Sequence, residues 1–192
     1  MKNFILVTFL SLCFLADNAG AMTIEEAASG EHRSENDIAR NAHRNPVETL
    51  TFFGIEKNMA VLEIWPGSRG WYTEILAPFL KESGSYYAAN YDGSTGLSYF
   101  EKGAKKFRTK IDSSPKIYGD VILRTLMPPT ELTPAPAESL DLVLTFRNIH
   151  NWVNNGIEEA ILASAFTMLK RNGVLGLVAH RTKNSTLGRD SA

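Results

Sequence analysis

The sequence predicts an α/β fold in which a doubly wound, mostly parallel β-sheet carries helices on both faces. Short apolar runs of strand length alternate with longer segments whose apolar residues recur every three or four positions. This alternation is typical of βαβ units with right-handed crossovers. The 192 residues are enough for one domain of ordinary size, and an apolar fraction of 44% is normal for a globular protein.

The first 21 residues have the layout of a secretory signal peptide. Lys2 forms a short positively charged N-terminal region, and residues 4–16 are almost wholly apolar. Ala19-Gly20-Ala21 supplies the small residues that a signal peptidase requires. The apolar run is short for a spanning helix, so cleavage is favoured over an uncleaved anchor. Cleavage after Ala21 would remove Cys13, the only cysteine. We therefore expect an exported chain, periplasmic or secreted, with no disulfide and no membrane attachment after cleavage.

Residues 22–58 are expected to form an N-terminal leader and two short helices. Residues 22–32 are polar and rich in alanine, which indicates an irregular leader. Ser34 can cap the first helix. The second helix is predicted to start at Asn45-Pro46, where a capping residue precedes a proline at the first helical position, and to end at Gly54.

Residues 59–181 are predicted to form the α/β domain. Each strand is a short apolar run followed by a turn, and each helix has one apolar side. The elements follow in the order strand 60–64, helix 71–82, strand 85–90, helix 97–107, a less clear strand within 117–126, a proline-rich loop 127–138, strand 140–146, helix 155–171 and strand 174–179, before a polar tail at 182–192.

The charge balance argues against a nucleic-acid partner. The chain has 20 basic and 21 acidic residues and a formal net charge of −1, without a polybasic patch. His32, His43 and His180 are too scattered along the chain for a metal-ligand set, so no metal is assigned. The expected partner is a small-molecule substrate, and the oligomeric state stays open.

The unusual residues of the chain follow the predicted strands. In a parallel sheet, ligands bind beyond the carboxyl ends of the strands. Glycines, an acid, aromatic residues and two histidines gather there, in the segments Trp65–Gly70, Asn90-Tyr91-Asp92, Arg147–Trp152 and His180-Arg181. The clustering predicts a ligand site at this edge of the sheet.

The glycine-rich turn at residues 66–70 is weak evidence for a ligand by itself, since many such turns need glycine for geometry alone. No Gly-Lys-Ser/Thr follows, so the turn is not a P-loop. Trp65 and Pro66 stand where the dinucleotide fingerprint requires small residues. A nicotinamide-dependent oxidoreductase is disfavoured on this ground.

Two motifs resemble one family. Val61-Leu62-Glu63-Ile64-Trp65-Pro66-Gly67-x-x-Gly70 is similar to the first motif of class I S-adenosylmethionine-dependent methyltransferases, in which a strand ends in an acid and a glycine turn. Arg147-Asn148-x-His150-Asn151-Trp152 resembles a narrower group, the exported predicted methyltransferases. The resemblance covers roughly residues 33–181. It implies a Rossmann-like, methyltransferase-type sheet, S-adenosyl-L-methionine as cofactor and methyl transfer to an unknown acceptor.

The resemblance also implies roles in cofactor binding. Glu63, Gly67 and Gly70 would border the amino-acid end of S-adenosylmethionine. Asn90 stands where the family has an acid that holds the ribose hydroxyls, and a neutral amide should hold them more weakly. Asp92, two residues later, is the expected substitute.

The segment after the fourth strand carries the expected catalytic groups. His150 is the expected base that takes a proton from the acceptor, and Arg147 is expected to hold an anionic group of cofactor or substrate. Asn148 is placed with the cofactor-binding residues. The alternative is that His150 and Asn148 hydrogen-bond the loop backbone and organise the strand end, and the sequence leaves both interpretations open.

Two departures favour an alternative function. The chain ends soon after the predicted strand at 174–179, whereas the family fold continues with a helix and two more strands. We therefore expect a truncated fold that lacks the final strands and exposes a sheet edge. The predicted signal also sends the chain away from the compartment where S-adenosylmethionine is made. The alternative to a methyltransferase is a non-catalytic small-ligand-binding module with a methyltransferase-like fold.

Overall fold

The short apolar runs form the strands of one parallel sheet. A computed structural model describes residues 22–93 and 96–180, and its five strands are ordered β3-β2-β1-β4-β5, with every neighbouring pair parallel. The strands are β1 (Ala60–Ile64), β2 (Ser85–Asn90), β3 (Ile122–Thr125), β4 (Leu140–Phe146) and β5 (Leu169–Val178). The predicted α/β fold with a mostly parallel sheet is therefore confirmed.

Helices cover both faces of this sheet. In the described part of the chain they are α1 (Ile24–Ser29), α2 (Glu35–Ala39), α3 (Asn41–Arg44), α4 (Pro46–Phe52), α5 (Thr73–Leu80), α6 (Ser98–Ser113), α7 (Pro115–Tyr118), α8 (Ile149–Asn155) and α9 (Glu158–Met168). The side chains of β1 alternate between two cores, as a strand requires. Val61 packs with α1 and α4 to α7, whereas Leu62 and Ile64 pack with α8 and α9.

The N-terminal segment is part of the first core, so the prediction of an irregular leader at residues 22–32 is wrong. The Thr23 side chain accepts a hydrogen bond from the Glu26 amide at 3.1 Å, and the Glu26 carboxylate accepts one from the Thr23 amide at 2.7 Å. This capping box starts α1. Ala27 and Ala28 are buried, and α1 contacts α5.

A buried ion pair fixes the N-terminal helices against α5. Arg33 is only 4% exposed, and its Nε lies 3.0 Å from Glu74 Oε2. Arg33 also donates to the carbonyl of Ala28 and, at 3.0 Å, to Asn41 Oδ1, while Lys110 is a second cationic partner of Glu74. These contacts place α2 and α3 beside the turn that follows β1.

The capping predictions for the next helices are partly right. Ser34 accepts a hydrogen bond from the Asp37 amide at 3.2 Å and starts α2, as expected. Asn45 makes no side-chain cap at α4, because its backbone takes a left-handed conformation with φ of 42°. Pro46 still occupies the first turn of α4, and Gly54, with φ of 72°, follows its end.

The last predicted helix and strand have different bounds in the structure. Residues 149–155 form α8, which ends at Gly156 with φ of 64°. The helix predicted at 155–171 is α9, which ends at Met168. β5 begins directly at Leu169, which pairs with Leu140, and after a register shift the pairing continues from Val174 with Leu142. Gly173 therefore lies inside β5 and does not stop a helix.

Two predicted segments lie outside the described residues, the signal peptide at 1–21 and the tail at 182–192. In residues 22–93 and 96–180, no helix has the length and apolar character needed to cross a membrane. Within the same residues, β5 pairs with β4 and forms an edge of the sheet.

Candidate functional site

The turn between β1 and α5 separates two cavities at the carboxyl edge of the sheet. The large cavity has a volume of about 620 Å³ and the arginine cavity one of about 230 Å³. Trp65, Gly67, Ser68 and Asn148 border both. The large cavity is completed by Tyr91, Leu97, Tyr99, Phe100, Met127, Pro128, Asn151, Asn155 and Ile157. The arginine cavity is completed by Arg40, Arg44, Glu63, Pro66, Arg69, Trp71, Tyr72 and Phe146.

Gly67 is the backbone position that lies open to both cavities. Its φ is 72°, and a Cβ placed on it would meet no atom within 4 Å. Glycine adopts this conformation without the cost that a side chain would add, and it lets a ligand approach the main chain closely. The structure therefore places Gly67 where a ligand could approach the main chain, and its predicted binding role stays a prediction.

Gly70 has a packing role in the structure. Its φ is 55°, and a Cβ there would lie 2.6 Å from Phe107 Cε2 and 2.9 Å from Thr73 Oγ1. The glycine lets α6 pack closely against the start of α5. Gly70 borders neither cavity, so the geometry does not bring it to the site predicted for it.

Trp65 is a wall of both cavities, although its backbone has φ of 53° in a region that usually favours glycine. Its indole Nε1 donates to the carbonyl of Leu126 at 2.9 Å. Its ring makes edge contacts with Tyr91 and Trp152, at centroid distances of 6.3 and 6.2 Å. Contacts of the indole thus accompany a left-handed backbone that is uncommon for a residue with a side chain.

Glu63 lies below the arginine cavity and is buried. Its carboxylate accepts hydrogen bonds from the hydroxyl of Tyr86 and, at 3.2 Å, from that of Thr73. Burial raises the pKa of Glu63 to about 7, against the opposing effect of these two hydrogen bonds. Glu63 thus lines the arginine cavity with its carboxylate bonded to β2 and α5, and its predicted role beside the cofactor stays a prediction.

Asn90 ties the end of β2 to the turn after β1. Its Nδ2 donates to the carbonyl of Gly67 at 3.3 Å, and its Oδ1 accepts from the Tyr91 amide at 3.1 Å. Asn90 and Asp92 border another cavity, of about 550 Å³, that lies between α6 and the ends of β2 and β3. Neither lines the large cavity, and their ribose-binding roles stay predictions.

Asn148 joins the ends of β4 and β1. Its Nδ2 lies 3.1 Å from the carbonyl oxygen of Ile64, 3.2 Å from that of Trp65 and 3.1 Å from Thr145 Oγ1. Of the two interpretations that the sequence left open, this geometry supports organisation of the strand end. Because Asn148 also borders both cavities, its predicted cofactor contact stays a prediction.

Arg147 and His150 lie on the exposed side of the same strand end. Arg147 has φ of 63°, and its amide donates to the carbonyl of Val178 at 2.7 Å. Neither Arg147 nor His150 lines the large cavity or the arginine cavity. The ring of His150 lies 5.3 Å from that of His180, centroid to centroid. Their catalytic roles stay predictions, and the approach of the two histidines agrees with the predicted gathering of both at this edge of the sheet.

Three arginines that border the arginine cavity, Arg40, Arg44 and Arg69, were missed by the sequence reasoning. The guanidinium carbons of Arg44 and Arg40 lie 4.8 and 6.0 Å from the centre of a Trp71 ring. Arg69 contributes from the turn, where its Nη2 lies 3.2 Å from Asp37 Oδ1. Arg40 lies between α2 and α3, Arg44 ends α3, and Arg69 lies in the β1 turn, so no local motif joins all three. Ring contacts with Trp71 hold Arg40 and Arg44 at the turn, and Asp37 links Arg69 to α2.

Aromatic residues and amides dominate the large cavity. Tyr91 makes edge contacts with Phe100 at 4.8 Å and Trp65 at 6.3 Å, and Tyr99 contacts Phe100 at 5.5 Å. Polar groups are supplied by Asn148, Asn151 and Asn155. Aromatic rings with a few placed amides suit a flat heterocycle with hydrogen-bonding edges. Among the described residues, no three His, Cys, Asp or Glu side chains come together as a metal site.

Solved structures with similar folds are methyltransferases or proteins of related architecture. A methyltransferase dependent on S-adenosylmethionine from Aquifex aeolicus matches with a TM-score of 0.54 and 17% identity, over 78% of this chain and 68% of that one. The YcgJ protein from Bacillus subtilis matches with a TM-score of 0.51 and 14% identity, over 72% of this chain and 51% of that one. A protein from Galdieria sulphuraria, proposed to be a sarcosine dimethylglycine methyltransferase, matches with a TM-score of 0.52 and 13% identity, over 75% of this chain and 50% of that one.

The chain spans about half the length of the second and third of these structures. No family model matches the sequence, and no curated protein matches it. At these identities the similarity concerns the fold. The chain has the Rossmann-like α/β fold of class I S-adenosylmethionine-dependent methyltransferases.

Proposed function

We propose that the chain is an S-adenosylmethionine-dependent methyltransferase that acts on a small-molecule acceptor. The observation that carries the proposal is the position of Gly67, whose open left-handed backbone lies between two cavities at the carboxyl edge of the sheet. In doubly wound folds this edge is where ligands bind. The sequence resemblance of the β1 turn to the first methyltransferase motif supports the same assignment.

The residues of the large cavity fit a nucleoside. Tyr91 and Phe100 offer aromatic surface for a base, and Asn151 and Asn155 offer amide groups for its hydrogen-bonding edges. Gly67 would let the rest of the cofactor pass close to the main chain. When bound, S-adenosylmethionine supplies an activated methyl group on a sulfonium.

The protein's own contribution is mainly positioning. Asn148 holds the Ile64 and Trp65 carbonyls together, so the partition between the cavities is fixed before any ligand arrives. A fixed partition orients two reactants with little further loss of entropy. His150 is the proposed base for the acceptor, which would have to reach it at the exposed end of β4.

The alternative is a non-catalytic small-ligand-binding module on the same fold. Asn90 favours it, because its neutral amide already bonds Gly67 and Tyr91 and offers no negative charge to ribose hydroxyls. Such a module would hold another small ligand, or none, and would transfer no methyl group to any acceptor.

We also propose that the chain is exported. Its support is the predicted signal at residues 1–21. Expression in a bacterial host, followed by mass measurement of the exported chain, tests this: a mature start at Met22 is expected, and a full-length chain retained in the cytoplasm contradicts it.

Isothermal titration of the purified chain with S-adenosylmethionine and, separately, with NAD tests the proposed function. We expect binding of the first at micromolar concentrations and none of the second. A folded sample that binds neither would contradict the enzyme and favour the non-catalytic module.

A further inference from the structure

Two histidines from distant parts of the sequence meet beyond the ends of β4 and β5. His150 follows Phe146 and lies in the first turn of α8, and His180 follows Val178. Phe146 pairs with Val178, and the Arg147 amide donates to the Val178 carbonyl at 2.7 Å. This parallel register carries both histidines to the same end of the sheet.

The distance between the two imidazole rings matches that of two ligands on one tetrahedral metal ion. The ring centres lie 5.3 Å apart and the ring planes are inclined at 66°, so the rings are not stacked face to face. Zn–N bonds of about 2.0–2.1 Å at a tetrahedral angle place the centres of two ligating rings about 5.2 Å apart. Neighbouring positions of an octahedral ion would bring the centres to about 4.5 Å.

Both side chains can direct a nitrogen at a shared ion. His150 and His180 are exposed, so each ring can turn about its side-chain torsions. Within residues 22–93 and 96–180, no third His, Cys, Asp or Glu side chain joins them. The remaining tetrahedral positions would therefore be open to water, as in zinc sites that are not closed by four protein ligands.

We propose that His150 and His180 together bind a divalent transition-metal ion, and that zinc is the ion whose geometry fits their spacing. Neutral imidazole is a common ligand of zinc. The nitrogen that ligates the metal has no lone pair left for a proton, and the other nitrogen already carries one. Metal binding and the proposed role of His150 as a base therefore exclude each other. The site goes beyond the proposed function, and its test needs neither cofactor nor acceptor.

Isothermal titration of the purified chain with Zn²⁺ tests the site. The chain must carry no histidine tag, and Cys13→Ser removes the only thiol, which would compete for the ion. We expect one zinc ion to bind per chain. His150→Ala and His180→Ala should each weaken zinc binding at least about tenfold, because each leaves a single imidazole as ligand.

Matched variants control for unspecific binding and for charge. His43→Ala removes another exposed imidazole and should leave the affinity for zinc unchanged. Arg147→Met removes the positive charge that is closest to His150 in the sequence, so zinc should bind at least as tightly as in wild type. His180→Ala, beyond the end of β5, keeps the test decisive if His150→Ala fails to fold.

The outcomes separate this site from the proposed function. A folded chain that binds no zinc at millimolar concentration would overturn the proposal, and so would a zinc affinity that neither histidine variant changes. A loss in only one of the two variants would show binding through a single imidazole and would overturn it as well. None of these results depends on S-adenosylmethionine, so each leaves the proposed function to its own test.

Discussion

The hydroxyl of Tyr86 donates a hydrogen bond to the buried carboxylate of Glu63, beneath the turn that separates the two cavities. Thr73 joins the pair. Its hydroxyl lies 3.2 Å from the same carboxylate oxygen of Glu63 and 2.9 Å from the hydroxyl of Tyr86. The three side chains come from β1, β2 and α5. The acid of the methyltransferase-like motif thus also links the elements that support the turn.

The Glu63 carboxyl predicts a pH dependence of stability. Its pKa is about 7 in the folded chain against an ordinary value of 4.5, so the folded state binds the proton more tightly. The contribution of Glu63 to the free energy of unfolding is therefore greatest below about pH 4.5. It is lost as the pH rises to about 7, and the total loss is roughly 3 kcal/mol at most. Urea unfolding between pH 4.5 and 8 should show that Glu63→Gln removes this loss.

Glu82→Gln, at an exposed carboxylate of the same kind, is the control and should leave the pH profile as it is in wild type. If the free energy of unfolding depends on pH in the same way in wild type and Glu63→Gln, the pKa of the Glu63 carboxyl is not raised.

Two glycines with the same backbone conformation allow strain to be separated from ligand access. Gly67 and Gly54 both have φ of 72°, and a Cβ on either would meet no atom within 4 Å. Alanine at each should cost a similar amount, about 1 kcal/mol, because the strain is the same. Only Gly67→Ala places a methyl group in the cavities, so only it should weaken S-adenosylhomocysteine binding, by at least about tenfold. Equal affinities of the two variants for S-adenosylhomocysteine in isothermal titration would show that the ligand does not bind at this turn.

Asn148 should contribute to stability through its contacts with β1. Asn148→Ala leaves the carbonyls of Ile64 and Trp65 without this donor, and we expect the free energy of unfolding to fall by about 1–3 kcal/mol. Asn154→Ala, at an exposed position of α8, is the matched control and should be nearly neutral. Chemical denaturation measures both, and equal stabilities would mean that the amide does not hold the strand ends together.

The ion pair between Arg33 and Glu74 should be costly to break from one side. Arg33→Met leaves a buried carboxylate with Lys110 as its remaining cation, and we expect a loss of about 3 kcal/mol. Adding Glu74→Gln removes the stranded charge, so the double variant should recover part of the loss. If the double variant in thermal unfolding is as unstable as the sum of the single ones, the two residues do not act as a pair.

Most of the sheet was predictable because every strand except β3, whose expected place was less clear, carries its own local signal. Ala60–Ile64 and Leu140–Phe146 are short apolar runs that end in turns, and alternation with helices implies parallel pairing. The start of β5 was not predictable, since residues 169–173 continue the polar and apolar pattern of α9. Pairing of Leu169 with Leu140 decides that boundary, and this pairing is a tertiary contact.

The error at α1 had a visible signal. Thr23 and Glu26 have the spacing of a capping box, and Ala27-Ala28 is a good helix former. The polar, alanine-rich composition of residues 22–32 is what led to the prediction of a leader. Its burial comes from the small size of the two alanines, which lets α1 pack closely on α5.

The site was predictable as a region and less so by residue. Resemblance identified the β1 turn and the segment after β4, and Gly67 and Asn148 do border both cavities. Local patterns did not show that Gly70 serves packing or that Asn90 bonds the turn, since both depend on neighbours distant in sequence. The arginine cavity depends on the docking of α2 and α3 and was not foreseen.

The most direct test of the account is an NMR titration of the chain with S-adenosylhomocysteine, followed at the indole N–H signals of its three tryptophans. Trp65 borders both cavities and donates its N–H to the Leu126 carbonyl, so its signal should shift most. Saturable binding with the largest change at Trp65 would place the cofactor at the β1 turn. A folded chain whose three signals stay unchanged at millimolar ligand would contradict the proposed cofactor site.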